Sequence, residues 1–384
     1  MSRSTWFRPG LKGATLVAAA LATAAGSAGV AIAAPPAHPV RAASLVPLSQ
    51  VGLGWSIAQY SAASVPFAPH KFKGKTTLYA VNPQGVKFPF FSWPADSPAA
   101  KPGLGQFHLV DWSGDRQRAL VANGYNKFEQ ISLATGKVIN SFKLPADAFA
   151  IGYTRPDGLN ILATGSNGGV RRYDLTGKLT KVLTKTGAGA IDSPDGNSVI
   201  VGTLYGLEQV SNTGGVIKRL HAPVAVFECS PDRWWNATTV LATCGARHGS
   251  GAPRLWLFPV SGGRVRALTS QRNGSGEDQG DVNAWQLTSG VYLQALGACG
   301  VVFIAKQGSN GQAHRVLVPG VSYASDLIIT GHGSSLLVDA NNGCPEGATL
   351  VWFNPGTKKV TWVFHTPKNT IGVESVVPFG RPLS

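Results

Sequence analysis

Helical patterning is missing from this sequence. After the first thirty residues no stretch places Ala, Leu, Glu and Lys at 3.6-residue spacing, and charged residues make up only 14% of the chain. That excludes a helical bundle and an α/β architecture. No GxSxG is present, which excludes the nucleophile elbow of a prolyl-peptidase-like serine hydrolase. There is no CxxC and no pair of histidines at ligand spacing, so the four cysteines do not read as a metal site. Beyond the N-terminus no apolar run reaches the ~20 residues that cross a bilayer.

What is present is glycine, 47 of 384 residues, set between short β-branched and aromatic runs. Seven such turns recur: Gly85 (LYAVNPQGVKFPFF), Gly136 (ISLATGKVINSF), Gly177 (YDLTGKLTKVL), Gly214 (QVSNTGGVIKRL), Gly262 (LWLFPVSGGRVRAL), Gly311 (VVFIAKQGSNGQAHRVLV) and Gly356 (LVWFNPGTKKVTWVF). Their spacings are 51, 41, 37, 48, 49 and 45 residues. A β-unit of roughly 40–50 residues repeated in this way is a propeller blade. The fold class is all-β, a seven-bladed β-propeller. The alternatives are six blades with a cap, or eight. Blade one has three strands, near Gly54–Tyr60, Thr76–Val81 and Val86–Trp93, and no innermost strand. The surplus run Ile371–Phe379 is expected to complete it and close the ring.

A second signal runs in phase with the first. Turns at Asp115, Asp157, Asp195 and Asp232 join an inner strand to its neighbour; in two of them Pro precedes Asp-Gly, since Pro presets φ and Gly accepts a positive one. The Ser-Pro-Asp-Gly turn resembles the TolB-like propeller repeat over most of residues 107–365. The runs CSPDRWWNATTVLATC, DVNAWQLTSGVYLQALGACG and LVWFNPG resemble a family of secreted actinobacterial TolB-like proteins that lacks an established activity. The resemblance implies a propeller and brings no catalytic residue with it, because the repeat motif is structural.

The N-terminus reads as an export signal: Arg3, Arg8 and Lys12, then an apolar stretch from Ala14 to Val30, then the small-x-small site Ala31-Ile32-Ala33. The expected division is a signal peptide at 1–33, a flexible leader at 34–50 and one propeller domain at 51–384. A membrane anchor is the competing reading, weakened by an Ala- and Gly-rich rather than Leu-rich stretch. The protein is then secreted, with no transmembrane anchor after processing. Export turns four cysteines into two disulfides. The preferred pairing is Cys229–Cys244 and Cys299–Cys344; the rival is Cys244–Cys299 with Cys229–Cys344. The preferred one requires the fifth blade's inner hairpin to turn at Asn236-Ala237 and Pro231 to sit at a bulge.

With strands named A to D from the axis outward, A–B and C–D turns share one face and B–C and D–A connections the other. The tight glycine turns fall on the first face. Five longer insertions fall on the second: Ser61–Lys75, Pro94–Gln106, Cys244–Pro253, Thr269–Asn283 and Asp339–Gly347. That face is the expected recognition surface. Its candidate binding residues are Arg247, His248, Arg272, Glu277, Asp278, Asp281, Asp339, Asn341 and Glu346. The stretch Glu277 to Asp281 offers oxygens for Ca²⁺ but lacks the DxDxDG register, so it reads as a solvated loop. Trp234 and Trp235 read as core and interblade packing, and Trp285 as core. Glu228 and Glu374 occupy inner-strand positions, where an axial carboxylate pair would sit.

Charge completes the reading. Acidic residues number 19 against 34 Lys and Arg, a net charge of +15. Cations follow the C–D turns: Lys87, Lys137, Lys178, Lys218, Arg264, Lys358 and Lys359. They either protect the exposed strand D from edge pairing or form a basic rim for anionic envelope polymers. The expected function is a monomeric, non-enzymatic binding or scaffold module of the envelope or medium. Its partner would be an unknown protein or an envelope glycan or anionic polymer, with no cofactor, no metal and no nucleic acid. The alternative is an envelope carbohydrate hydrolase or lyase with an axial carboxylate site.

Overall fold

The computed structural model describes residues 45–64, 74–94, 107–124, 126–166, 168–246, 252–272, 279–297, 301–309, 311–321, 325–341, 348–367 and 370–380. They form seven four-stranded antiparallel sheets, the blades of a propeller. In blades two to seven the strands follow chain order from the axis outward. Blade one takes its strand A from the end of the chain: Thr370–Pro378 pairs with Ser56–Ser64, as the surplus C-terminal run predicts. No described helix is long and apolar enough to cross a membrane.

The core lies between blades. A twisted blade has apolar side chains on both faces, and each face is buried only by the next blade. Seven clusters of buried residues are found among the described residues, one at each interblade contact. Ile57, Leu78 and Trp93 of blade one meet Trp112, Ala119 and Ile131 of blade two. Leu337, Leu350 and Trp352 of blade seven meet Ala58, Val81 and Val373 of blade one, so the closing contact is packed like the rest.

The glycine turns have a packing reason as well as a conformational one. Gly136 and Gly177 hold φ of +62° and +86°. A Cβ on Gly136 would land on the carbonyl oxygen of Phe90, and one on Gly177 on that of Lys143. These two C–D turns tuck against the outer strand of the preceding blade, and only glycine fits there. The aspartate turns are structural too. Asp115 and Asp195 each accept a hydrogen bond from a serine two residues back, Ser113 and Ser193, and from a backbone N–H two residues on.

Asp232 departs from this series. Strand A of blade five, Val226–Asn236, runs on past the position where blades two to four turn, and its hairpin closes with Asn236 opposite Thr239. Asp232 therefore lies within a strand rather than in a turn. Pro231 sits beside a bulge and Cys229 faces Cys244, to which it is bonded, with Cα atoms 4.1 Å apart. Trp234 pairs with Val240. Cys299 and Cys344 lie outside the described residues. The segment assigned to the end of a leader is packed: Val46 is fully buried in the first interblade cluster, and Leu45 N–H donates to the Ala134 carbonyl.

Candidate functional site

The axial strands share one irregularity. In six blades the register of strand A against strand B skips a residue of strand A: Glu374, Val110, Ile151, Asp232, Val282 and Ile329 in blades one, two, three, five, six and seven, with Glu228 and Trp235 skipped as well in blade five. A bulge of this kind re-aims a side chain that regular alternation would place elsewhere. Of the three acids among these residues, Glu374, Asp232 and Glu228, Asp232 lines a cavity on the axis. That cavity, about 440 Å³, opens toward the B–C and D–A face and has Gly165, Gly168, Gly187 and Gly189 in its wall. Thr243 Oγ1 lies 2.7 Å from Asp232 Oδ2, and burial pushes the Asp232 carboxyl up to about 7.

A second axial cavity, about 210 Å³, opens on the opposite face and shares Ile151 and Ile191 with the first, which makes them the waist between the two. Its charged groups are committed to structure. Arg155 Nη2 donates to both carboxylate oxygens of the buried Asp111, at 3.0 and 3.1 Å, and Nη1 donates to the Trp112 carbonyl. The guanidinium of Arg233 lies 5.1 Å from the Trp285 ring centre, and burial pulls it down to about 9. Trp234 Nε1 donates to the Asp192 carbonyl, while Trp235 packs beside the next interblade cluster.

The largest of these cavities, about 720 Å³, lies off the axis between blades four and five on the B–C face. Thr203 to Tyr205 and Leu207 to Glu208 form one wall, Arg219 to His221 another, and Glu228 a third. Glu208 and Arg219 pair at 3.0 Å. Tyr205 is 61% exposed and meets Phe227 edge-on at 6.2 Å. Glu228 is unpaired against strand B and holds φ of +47°, which a non-glycine residue adopts only when its surroundings enforce it. Here the enforcement is visible: the adjacent Cys229 is tied to Cys244, and Glu228 N–H donates to the Leu204 carbonyl.

The sequence-derived candidates do not converge on one site among the described residues. Arg272 and Asp281 meet in a 3.0 Å ion pair with Asp281 only 1% exposed, so the end of the acidic stretch is buried structure and not a solvated loop. Asp339 stands in strand B of blade seven, Ser335–Asn341; its Oδ1 has no hydrogen-bond partner among the described residues, and burial pushes it up to about 7. Asn341 is exposed at that strand's end. Arg247, His248, Glu277, Asp278 and Glu346 lie outside the described residues, as do the middles of all five insertions. Glu228 and Glu374 do not form a pair: Glu228 lines the off-axis groove, and Glu374 accepts a 2.8 Å hydrogen bond from Gln59 in blade one. Tyr205, Glu208, Arg219 and His221 escaped the sequence reading because they lie in and beside short connections that carry no motif. The only signal for them was the exposed Leu-Tyr in an otherwise polar turn.

No protein-family model matches the chain, and no curated protein matches it in sequence. Solved structures match it in fold. A structure from a study of two prolyl endopeptidases aligns at TM-score 0.53 and 12% identity, over 79% of this chain and 49% of that one. This chain thus spans about half the length of that relative. A Mycobacterium tuberculosis puromycin-hydrolyzing peptidase aligns at TM-score 0.48 and 14% identity, over 81% of this chain and 54% of that one. The β-propeller domain of Myceliophteria thermophila Cps50 (Swd1) aligns at 0.49 and 13%, over 80% and 98%. At these identities the likeness is to the propeller fold.

Proposed function

We propose that the protein is an exported, TolB-like binding propeller without catalytic activity, and that the groove between blades four and five holds its ligand. The observation that carries this reading is Glu228: an acid held at positive φ beside a disulfide, on the wall of the largest of the three cavities described. Local strain of that kind persists where a side chain must be aimed. The groove's volume falls in the usual range for ligand sites. Its chemistry combines an exposed aromatic face at Tyr205 with carboxylates, a guanidinium and an imidazole that can bracket hydroxyl groups. That combination suits a saccharide segment of an envelope polymer. Glycoside cleavage needs two carboxyl groups flanking one bond. The described lining of each axial cavity supplies one, Asp232 in the first and Asp192 in the second, and of the two in the groove Glu208 is paired with Arg219 at 3.0 Å, which leaves Glu228 alone to face a ligand.

The test is calorimetric titration of the full chain with soluble envelope glycan fragments. Binding that is lost in Tyr205→Ala and weakened at least about tenfold in Glu228→Gln supports the reading. Equal affinity in the wild type and both variants, or release of a reducing end during the titration, overturns it.

A further inference from the structure

The outer wall of the propeller is not uniform. Strand D of blade two (Val138–Lys143), blade three (Leu179–Val182) and blade four (Val216–His221) each expose two aliphatic side chains. They are Val138 and Ile139, Leu179 and Val182, and Val216 and Ile217, between 42% and 57% exposed. No other outer strand carries such a pair among the described residues. Single exposed aliphatics need no explanation, but three matched pairs on consecutive blades form a patterned surface.

Two further features belong to the same wall. It is continuous, because the C–D turn of each blade abuts strand D of the one before: Gly177 against Lys143, and Gly214 against Lys181 and Val182. The Asn140 side chain also donates across the first of these seams to the Leu175 carbonyl. It is also basic. The three strands contain no acid and carry Lys143, Lys181 and Lys218, beside Arg219, which pairs with Glu208 at the groove, while Lys137 and Lys178 open the first two strands. Lys137, Lys143, Lys178 and Lys181 are exposed and take part in no ion pair among the described residues. The acids nearest in sequence are engaged elsewhere: Asp147 with Arg171, Glu208 with Arg219, and Asp174 with its own turn.

Edge protection explains lysine on an outer strand but not isoleucine or leucine, which make an edge more adhesive. A soluble anionic polymer explains the lysines but gives the aliphatic pairs nothing to do. We infer that the outer wall of blades two to four docks on an anionic lipid surface, with the lysines at the headgroups and the aliphatic pairs in the headgroup–acyl boundary. Interfacial binding depends on buried apolar area and on attraction between basic residues and anionic lipid together, and this wall supplies both. The inference rests on Lys137, Lys143, Lys178, Lys181 and the aliphatic pairs, none of which lines the groove.

The test is co-sedimentation of the full chain with vesicles of phosphatidylcholine alone and of phosphatidylcholine mixed with phosphatidylglycerol. Binding to the mixed vesicles, weakened by salt, is expected. Two variants separate the contributions: Ile139→Ser with Ile217→Ser, and Lys137→Glu with Lys178→Glu. Each should lower partitioning at least about tenfold while leaving the melting temperature unchanged, since all four side chains are exposed. Absence of sedimentation, equal binding to neutral vesicles, or full retention of binding in either variant overturns the proposal. So does concentration-dependent dimerisation that the serine variant abolishes in the absence of vesicle binding, which would assign the wall to a second copy of the chain.

Discussion

Thr243 Oγ1 stands 2.7 Å from Asp232 Oδ2 and 3.0 Å from the carbonyl oxygen of Val282 in the next blade. A hydroxyl has one proton and cannot serve both acceptors at once. When Asp232 is protonated, its O–H donates to Thr243 Oγ1, and Thr243 keeps its own proton for Val282. When Asp232 is ionised, it claims the threonine proton and the interblade carbonyl loses its donor.

A pH dependence follows. Burial raises Asp232 to about 7, above its unfolded value of about 4. A raised acid contributes stability that is fully present below the unfolded pKa and is lost as pH rises through the folded one. Asp339, raised to about 7, and Asp326, raised to about 6, act in the same direction. Stability should therefore fall between about pH 4 and about pH 7. Asp232→Asn keeps a donor for Thr243 and should flatten that slope by roughly 1–3 kcal/mol. Thermal melts of both proteins across this range decide it; parallel curves would sink the idea.

Two glutamines perform one task at two places. Gln59 Oε1 accepts the Leu109 N–H at 2.8 Å, and its Nε2 donates to the Phe107 carbonyl at 3.0 Å. Gln294 Oε1 accepts the Ile328 N–H at 2.6 Å, and its Nε2 donates to the Asp326 carbonyl at 2.9 Å. Each is a buried strand-B residue holding strand A of the next blade beside its bulge. Gln294→Leu would strand both backbone groups in the interior. A loss of roughly 2–4 kcal/mol in urea unfolding is expected. A loss under about 1 kcal/mol would mean that these groups are satisfied in another way.

The repeat was legible because its signal is covalent and periodic. A glycine that must clear a neighbouring carbonyl, as Gly136 and Gly177 do, cannot be replaced cheaply, and the turns of the other blades recur in phase with these two. The closing strand and the Cys229–Cys244 bond followed from counting strands and residues. The groove was not legible, because Glu228 meets Tyr205 and Arg219 only through the stacking of blade five on blade four. Asp232 misled for a related reason. Its sequence context, Ser-Pro-Asp, is that of the turn series, but the four extra residues after it let strand pairing override the local turn signal.

Closure should be essential to solubility. Strand A of blade one is Thr370–Pro378, and its Val373 packs in the cluster that joins blades seven and one. Removing residues 370–384 exposes the edge of Ser56–Ser64 and opens that cluster to water. An exposed flat edge invites strand addition. The truncated chain should aggregate, or melt far below the full chain, in light scattering and calorimetry. A truncated protein that stays monodisperse with unchanged melting would show that the ring does not depend on its last strand.

The disulfide should matter twice. It closes a loop of 15 residues, for which the chain-entropy account gives about 3 kcal/mol. Replacing both cysteines by Ala should therefore cost about 2–4 kcal/mol in urea unfolding. Its second effect is local. Cys229 follows Glu228 in the bulge that lines the groove, and the bond to Cys244 pins that bulge from the neighbouring strand. Without the bond, Glu228 is free to leave its positive φ for an ordinary extended conformation. Glycan affinity should then drop in the Cys229→Ala, Cys244→Ala protein even where the fold is intact, while vesicle binding through blades two to four is unchanged. A double variant that is less stable but binds glycan with wild-type affinity would show that the bond holds the fold without aiming Glu228.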